Sequence, residues 1–228
     1  MLDILYEDKE ITVCKKPVGI LSQASEENEE TMCTLIEARM REQNIAPYVG
    51  VIHRLDRNVG GVMVYAKTKN AAAKLSAQVS DKDKFTKQYF AAIHGRPETS
   101  TGEMQDLLFK DTHLGKSFVV DKMRKGVKDA SLEYELLSYN EELDISLVKI
   151  QLHTGRTHQI RVQFSSRKMP LCGDKKYGAR DSFKNIGLWS YSISFLHPQS
   201  GKRMTFAAMP QESLSPWDCF DIPELTEK

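Results

Sequence analysis

The run His53-Arg54-Leu55-Asp56-Arg57-Asn58-Val59-Gly60-Gly61 sets one carboxylate among three cation-capable side chains and closes on two glycines. On a surface such an Asp makes an ion pair of little worth. In a buried site it becomes an ionised carboxylate beside guanidinium groups, which suits it to act as a nucleophile. Glycines just ahead of a strand let the backbone turn sharply and approach a ligand closely. A second run, His153 to Gln163, passes through a glycine turn into a short helix carrying Arg156, His158, Gln159 and Arg161. Ile160 and Phe164, four residues apart, dock that helix, and Arg161 can be directed inward beside them. A buried Arg requires a carboxylate, and the sequence points to an Asp from another motif. In the third run, Lys87 to Gly95, alternation puts Tyr89, Ala91 and Ile93 on one face of a strand. A Tyr so placed serves as plain core once its hydroxyl is satisfied. Its chemical alternative is a ring that stacks on a base and a hydroxyl that takes part in proton transfer.

The elements that must position these residues follow from pattern. Residues 2–6 and 11–16 alternate around the turn Glu7–Glu10 and read as a hairpin, which Lys16-Pro17-Val18-Gly19 then breaks. Glu26–Glu30 reads as an exposed acidic loop. Thr31–Gln43 carries Met32, Leu35, Ile36 and Met40 at helical spacing, with Thr31 or Thr34 as cap. Val62–Thr68 is a strand and Asn70–Val79 a short helix. Gln88–His94, 116–121, 131–139, 143–152, Ile186–Phe195 and Arg203–Ala207 are strands, and Thr157–Ser165 a short helix. Many strands and a few short helices without strict βαβ alternation predict an α+β fold with a mixed, largely antiparallel sheet. Without repeat or linker, residues 1–228 are expected to form a single domain.

Composition removes other classes. The 228 residues are 40% hydrophobic and 28% charged, ordinary for a globular chain, and no apolar run is long enough to span a membrane. The acidic N-terminus does not read as a signal peptide, so a cytoplasmic protein is expected. Cys14, Cys33, Cys172 and Cys219 are scattered and read as reduced thiols; neither they nor the six histidines have metal-ligand spacing. The net charge of +1 hides polarity. Arg156 to Arg180 holds seven basic residues and one acid, Asp174, whereas Pro210–Lys228 holds five acids and one Lys. Local positive surface, not the total, governs nucleic-acid affinity.

Asp8 and Lys16-Pro17-x-Gly19, His53-Arg54-Leu55-Asp56, Lys87-x-Tyr89-x-Ala91, Thr154-Gly155-Arg156-Thr157-His158-Gln159-Ile160-Arg161-Val162, Gly173-Asp174-x-x-Tyr177-Gly178 and His197-Pro198 occur in this order. The pattern resembles that of the RluA-type RNA pseudouridine synthases, over residues 3 to 210. The resemblance implies the pseudouridine synthase fold and a cofactor-free, metal-free isomerase. Such an enzyme breaks the uridine N1–C1′ bond, turns the uracil and rejoins it through C5. It implies Asp56 as the catalytic aspartate, Tyr89 as the active-site tyrosine and Arg161 as the cationic partner of that aspartate. Arg54 matches an arginine that takes the place of the flipped nucleotide. RNA contacts, on an rRNA or tRNA stem-loop, are expected at Arg54, Arg57, Arg156, His158, Lys175 and Lys176, with Lys122, Arg124, Lys125 and Lys128 nearby in sequence. The family usually continues His-Arg-Leu-Asp with Arg-Asp-Thr-Ser-Gly, and Arg57-Asn58-Val59-Gly60-Gly61 departs from it. Many relatives carry a small RNA-binding domain ahead of the first motif; none is expected here, nor is oligomerisation. A non-catalytic RNA-binding or chaperone protein is the competing class, and release of tritium from 5-³H-uridine RNA separates the two.

Overall fold

The computed structural model describes residues 2–24, 29–211 and 214–222. The chain folds into two compact units, one of Met1–Lys87 with Ser190–Ala208, the other of Gln88–Trp189 with Met209–Lys228. The acidic loop falls largely, and the acidic tail partly, outside the described residues.

In the first unit, β1 (Asp3–Glu7) and β2 (Ile11–Lys16) form the expected hairpin. The Asp8 carboxylate closes its turn by accepting from the Glu10 and Ile11 amides, each at 2.8 Å. Helix α1 (Met32–Glu42) starts at Thr31, whose hydroxyl accepts from Thr34 N while Thr34 Oγ1 accepts from Thr31 N. This reciprocal cap satisfies two amides that no helical turn can reach. After the short β3 (Gly50–Val51) comes β4 (Gly60–Ala66), buried throughout, then α2 (Lys69–Gln78), capped by Thr68. Two late strands, β10 (Leu188–Leu196) and β11 (Arg203–Ala207), complete this sheet in the order β1-β2-β4-β10-β11, with β3 on β4. Ile11, Val13, Val62, Val64, Ala71, Leu75, Ile193 and Phe195 form its core.

The second unit takes β5 (Thr86–His94) from Gln88 onward, β6 (Thr101–Asp111), β7 (Lys116–Val120), β8 (Val127–Asn140) and β9 (Ile145–Leu152), ordered β5-β9-β8-β6-β7. The β6–β7, β6–β8 and β8–β9 pairs are antiparallel. Helix α3 (Gln159–Ser166) lays Val162 on Leu108 and Ala130. A 3-10 turn, Lys175–Tyr177, follows, and the chain returns along β10 (Leu188–Leu196) and β11 (Arg203–Ala207).

Four expectations shift, the first being the strand expected at 131–139, which begins four residues earlier as β8. Helix α3 begins at Gln159, not Thr157, because His158 takes a left-handed backbone (φ 54°). The strand expected from Ile186 begins at Leu188. Strand β6 has no counterpart in the sequence reading: Met104, Leu107 and Leu108 fall at helical spacing among Glu, Gln and Lys, and only pairing with β7 and β8 makes the segment extended. Among the described residues no helix is long and apolar enough to cross a membrane.

Candidate active site

In the first unit, the loop bearing Asp56 is pinned on both sides of that residue. Leu55, immediately before it, donates its amide to Ser22 Oγ at 3.0 Å, and the Ser22 hydroxyl donates back to the Leu55 carbonyl at 2.9 Å. Ser22 is itself buried, and its carbonyl accepts from the Tyr65 hydroxyl at 3.1 Å. Arg57, immediately after Asp56, has its carbonyl held by Gly19 N at 2.8 Å and by Lys16 Nζ at 3.1 Å. Lys16 is fully buried and also donates to the carbonyls of Pro17 (2.9 Å) and Ile20 (2.6 Å). Three donors thus meet three acceptors, the complete capacity of an ammonium group. Burial pulls the Lys16 pKa down to about 8, with the Asp56 carboxylate acting against that shift. The Lys-Pro-x-Gly turn and the Asp56 loop are therefore one rigid piece.

This arrangement accounts for the departure at Asn58 and Val59. The groups that fix the loop act on main-chain atoms of Leu55 and Arg57, and Val59 contributes by burial rather than by a hydroxyl. Gly61, at the head of β4, has φ +124°, and a Cβ there would lie 2.2 Å from Ser190 O, so no other residue fits. Asp56 is half-buried; Arg54 and Arg57 are exposed, and Arg57 pairs with Glu29.

His53 is different in kind from its neighbours. Its Nε2 accepts the Val64 amide at 3.3 Å, its ring meets Phe85 edge-on, and burial, with a smaller push from Lys87, lowers its pKa to about 3. At neutral pH it is a neutral structural ring and a poor base. The unfolded chain protonates this His near 6.5, whereas the folded chain does so only near 3. Its contribution to stability is therefore complete above 6.5 and lost as pH falls toward 3. Urea midpoints measured from pH 7 to 4 should fall more steeply for the wild-type chain than for His53→Gln; parallel curves would show that His53 does not resist protonation.

In the second unit, Tyr89 lies buried on β5, followed by Phe90, Ala91, Ala92 and Ile93, all buried. Arg161 is 5% exposed on α3 and grips Asp174 with both prongs, Nε to Oδ2 at 2.6 Å and Nη2 to Oδ1 at 2.8 Å. Its guanidinium carbon stands 5.0 Å from the centre of the Tyr177 ring. The Tyr177 hydroxyl accepts from Ser117 N at 2.8 Å and lies 2.9 Å from His158 Nδ1. Asp174 is fixed in turn, its amide donating to Leu171 O and its carbonyl accepting from Tyr177 N and Ala179 N. Gly173, with φ +73°, abuts Asn185 O where a Cβ would stand at 2.1 Å. The start of α3 is organised by Gln159, whose Oε1 accepts from Thr154 Oγ1 and Arg156 N while its Nε2 donates to Ser131 O.

The basic run 156–180 is not one continuous surface. Arg161 is buried, Arg167 pairs with Asp106, Arg156 donates to Asp129 O, and His158 turns inward to Tyr177. Lys168, Lys175, Lys176 and Arg180 remain on the exterior. Sequence reasoning named Asp174 as the lone acid of that run and quoted it with Tyr177 in the Gly173-Asp174-x-x-Tyr177-Gly178 motif, but gave neither residue a role. The signal was present: a buried Arg needs a carboxylate, and Asp174 and Tyr177 share one short motif.

The polar side chains are rigidly framed on an α+β scaffold, with Lys168, Lys175, Lys176 and Arg180 at its exterior. Solved structures with this fold include human RNA pseudouridylate synthase domain containing 4 (TM-score 0.75, 21% identity, 92% of this chain and 88% of that one). Residues 10–166, drawn from both units, match the model of the RNA pseudouridylate synthase family. An Aquifex aeolicus protein named as an uncharacterized RNA pseudouridine synthase is 34% identical over 90% of this chain and 68% of its own length. The ribosomal large subunit pseudouridine synthase D of Neisseria meningitidis is 32% identical over 91% of this chain and 58% of its own length. The chain belongs to the RNA pseudouridylate synthase family, in its RluA-type branch, and its reaction is the isomerisation of uridine in RNA to pseudouridine.

Proposed function

We propose that this chain modifies uridines in structured ribosomal RNA and that Asp56 is the catalytic carboxylate. The observation that carries the reading is the double clamp on Leu55 and Arg57, which places the one acid of the His-Arg-Leu-Asp motif on a backbone that cannot shift. Held geometry is what a nucleophile contributes beyond its intrinsic reactivity. Asp56 either attacks C1′ or removes the C2′ proton, and in both cases N1 leaves C1′ with the bonding electrons. The freed uracil turns and C5 bonds to C1′, displacing the Asp56 oxygen on the first path or with the Asp56 carboxyl returning the C2′ proton on the second; the C5 proton then departs and N1 takes up a proton. Arg161 is assigned as the catalytic cation, and its grip on Asp174 keeps its guanidinium from swinging away. Arg54, Arg57, Arg156, Lys175 and Lys176 meet phosphates, and His158 orders the start of α3. Both units act as one catalytic domain, a cytoplasmic monomer that needs neither metal nor cofactor. Relatives named for the large ribosomal subunit support rRNA over tRNA. Tritium release from 5-³H-uridine-labelled large-subunit rRNA by the purified chain tests the reading. RNA binding with no release would leave the chain a non-catalytic RNA-binding protein.

Tyr89 is the base-stacking ring and the proton acceptor for C5, directly or through water. Tyr89→Phe keeps the ring and removes the oxygen. It should leave the thermal midpoint and RNA affinity near wild type and lower turnover by about 100-fold or more. Turnover close to wild type would reduce Tyr89 to a packing residue.

A further inference from the structure

The outer face of the β6–β7–β8 sheet carries exposed aromatic and apolar side chains inside a ring of cations. Pairing sets exposed Phe118, half-buried Phe109 and buried Val127 in one row across the three strands, with half-buried Val120 and Leu107 two residues further along the same face. The opposite face holds Leu108 and Ala130, which pack under α3. Phe118 is 36% exposed, and Leu114 and Met123, in the adjoining turns, are 63% and 56% exposed. These are three of the six exposed large hydrophobic residues found among the described residues, gathered within ten positions.

The cations are placed on the rings. Arg124 Cζ stands 5.2 Å from the centre of Phe109, and Lys116 Nζ lies between two rings, 5.6 Å from the centre of Phe118 and 4.9 Å from that of Tyr177. Between residues 110 and 128 there are six Lys or Arg against two Asp. From the neighbouring 3-10 turn, Lys176 Nζ comes within 3.5 Å of the position a Cβ on Gly115 would occupy, so it joins the same rim at the β6–β7 turn. Protein interfaces deplete Lys, whereas rings edged by cations suit a chain of flat bases on a charged backbone.

We propose that this face is a stacking platform for unpaired bases of the RNA substrate, with Phe118 as its principal ring and Lys116, Arg124 and Lys176 meeting the phosphates. The assignment rests on RNA being the substrate and adds a surface that holds nucleotides other than the one isomerised. A sheet face reads stacking rather than base identity, so it selects for unpaired structure beside the target and not for a sequence.

The probe is a single-stranded 12-mer of oligouridylate, with an RNA duplex of equal length beside it. Phe118→Trp, in an Asp56→Asn background that blocks turnover, should lose fluorescence on saturation with oligouridylate beyond the change given by the parent's own tryptophans. The duplex should cause less quenching. Phe118→Ala should weaken oligouridylate binding by at least about fivefold, the size of one lost base stack, with an unchanged thermal midpoint. Equal affinity for Phe118→Ala and parent, with no quenching in Phe118→Trp, overturns the platform while tritium release by the wild-type chain still upholds the enzyme. A wild-type dimer in light scattering that becomes monomeric in Phe118→Ala also overturns it, by assigning the face to a second copy.

Discussion

Asp56→Asn should leave a folded protein that binds RNA as tightly as the wild-type chain and isomerises no uridine. The substitution changes one oxygen to nitrogen, so the half-buried side chain keeps its volume. The contacts that hold the loop, from Ser22 to Leu55 and from Lys16 and Gly19 to Arg57, act on main-chain atoms and survive. What is lost is the negative charge, and an amide can neither attack C1′ nor accept the C2′ proton at neutral pH. The near-total loss expected of a nucleophile, about 10⁴-fold or more, exceeds anything a loosened loop would give. Tritium release and filter binding on the same preparation check both halves. Isomerisation above a trace would move the catalytic role off Asp56, and lost RNA binding would make the residue a substrate ligand.

The largest effect on stability is expected at Asp174. It is 1% exposed and accepts both prongs of a guanidinium that is itself 5% exposed. Asp174→Asn keeps the shape but removes the charge and turns one acceptor into a donor facing the Arg161 fork. Breaking a buried pair from one side costs about 3–5 kcal/mol, because the remaining charge is left short of compensation. For a chain of this length that corresponds to a fall in thermal midpoint of about 10 °C, read by calorimetry. Turnover should fall with it even at temperatures where the variant is folded, since Arg161 would lose the contact that aims it. A midpoint within about 2 °C of wild type would mean that water replaces the carboxylate at little cost.

Much of the fold was legible in the sequence where local signals agree with tertiary demand. The β1–β2 hairpin, α1 with its Thr31 cap and β4 lie within one or two residues of their expected bounds because alternation, capping chemistry and β-branched content all point the same way. Strand β6 was not legible, since its local preference is helical and its extended state comes from partners up to 34 residues away. The same division holds at the site. Asp56, Tyr89 and Arg161 stand out by residue type and spacing, but the clamp on the Asp56 loop uses Ser22, Gly19 and a fully buried Lys16, residues whose partners are backbone carbonyls and amides. No pattern of side chains announces a main-chain contact. The Arg161–Asp174 grip was within reach, because the carboxylate sits in a motif of its own only thirteen residues on.

The first unit is closed by strands that come from the far end of the chain. Strand β4 has β2 on one side and β10 on the other, and β10 and β11 lie beyond about 100 residues that belong to the second unit. At a synthesis rate of about 5–20 residues per second, β4 therefore emerges roughly 6–24 s before its second neighbour begins to appear. During that interval its buried run, Gly60–Ala66, presents an unpaired apolar edge, the kind of surface that recruits other strands. The Asp56 loop feeds directly into β4, so the strand behind that loop gains its second neighbour only once β10 has been made. A nascent chain stalled near residue 190 would carry every residue of the proposed catalytic set and still lack the second neighbour of β4. Ribosome-bound chains of increasing length should accordingly gain protease resistance over Met1–Lys87 only after residue 208 has cleared the exit tunnel, with holdase chaperones bound until then.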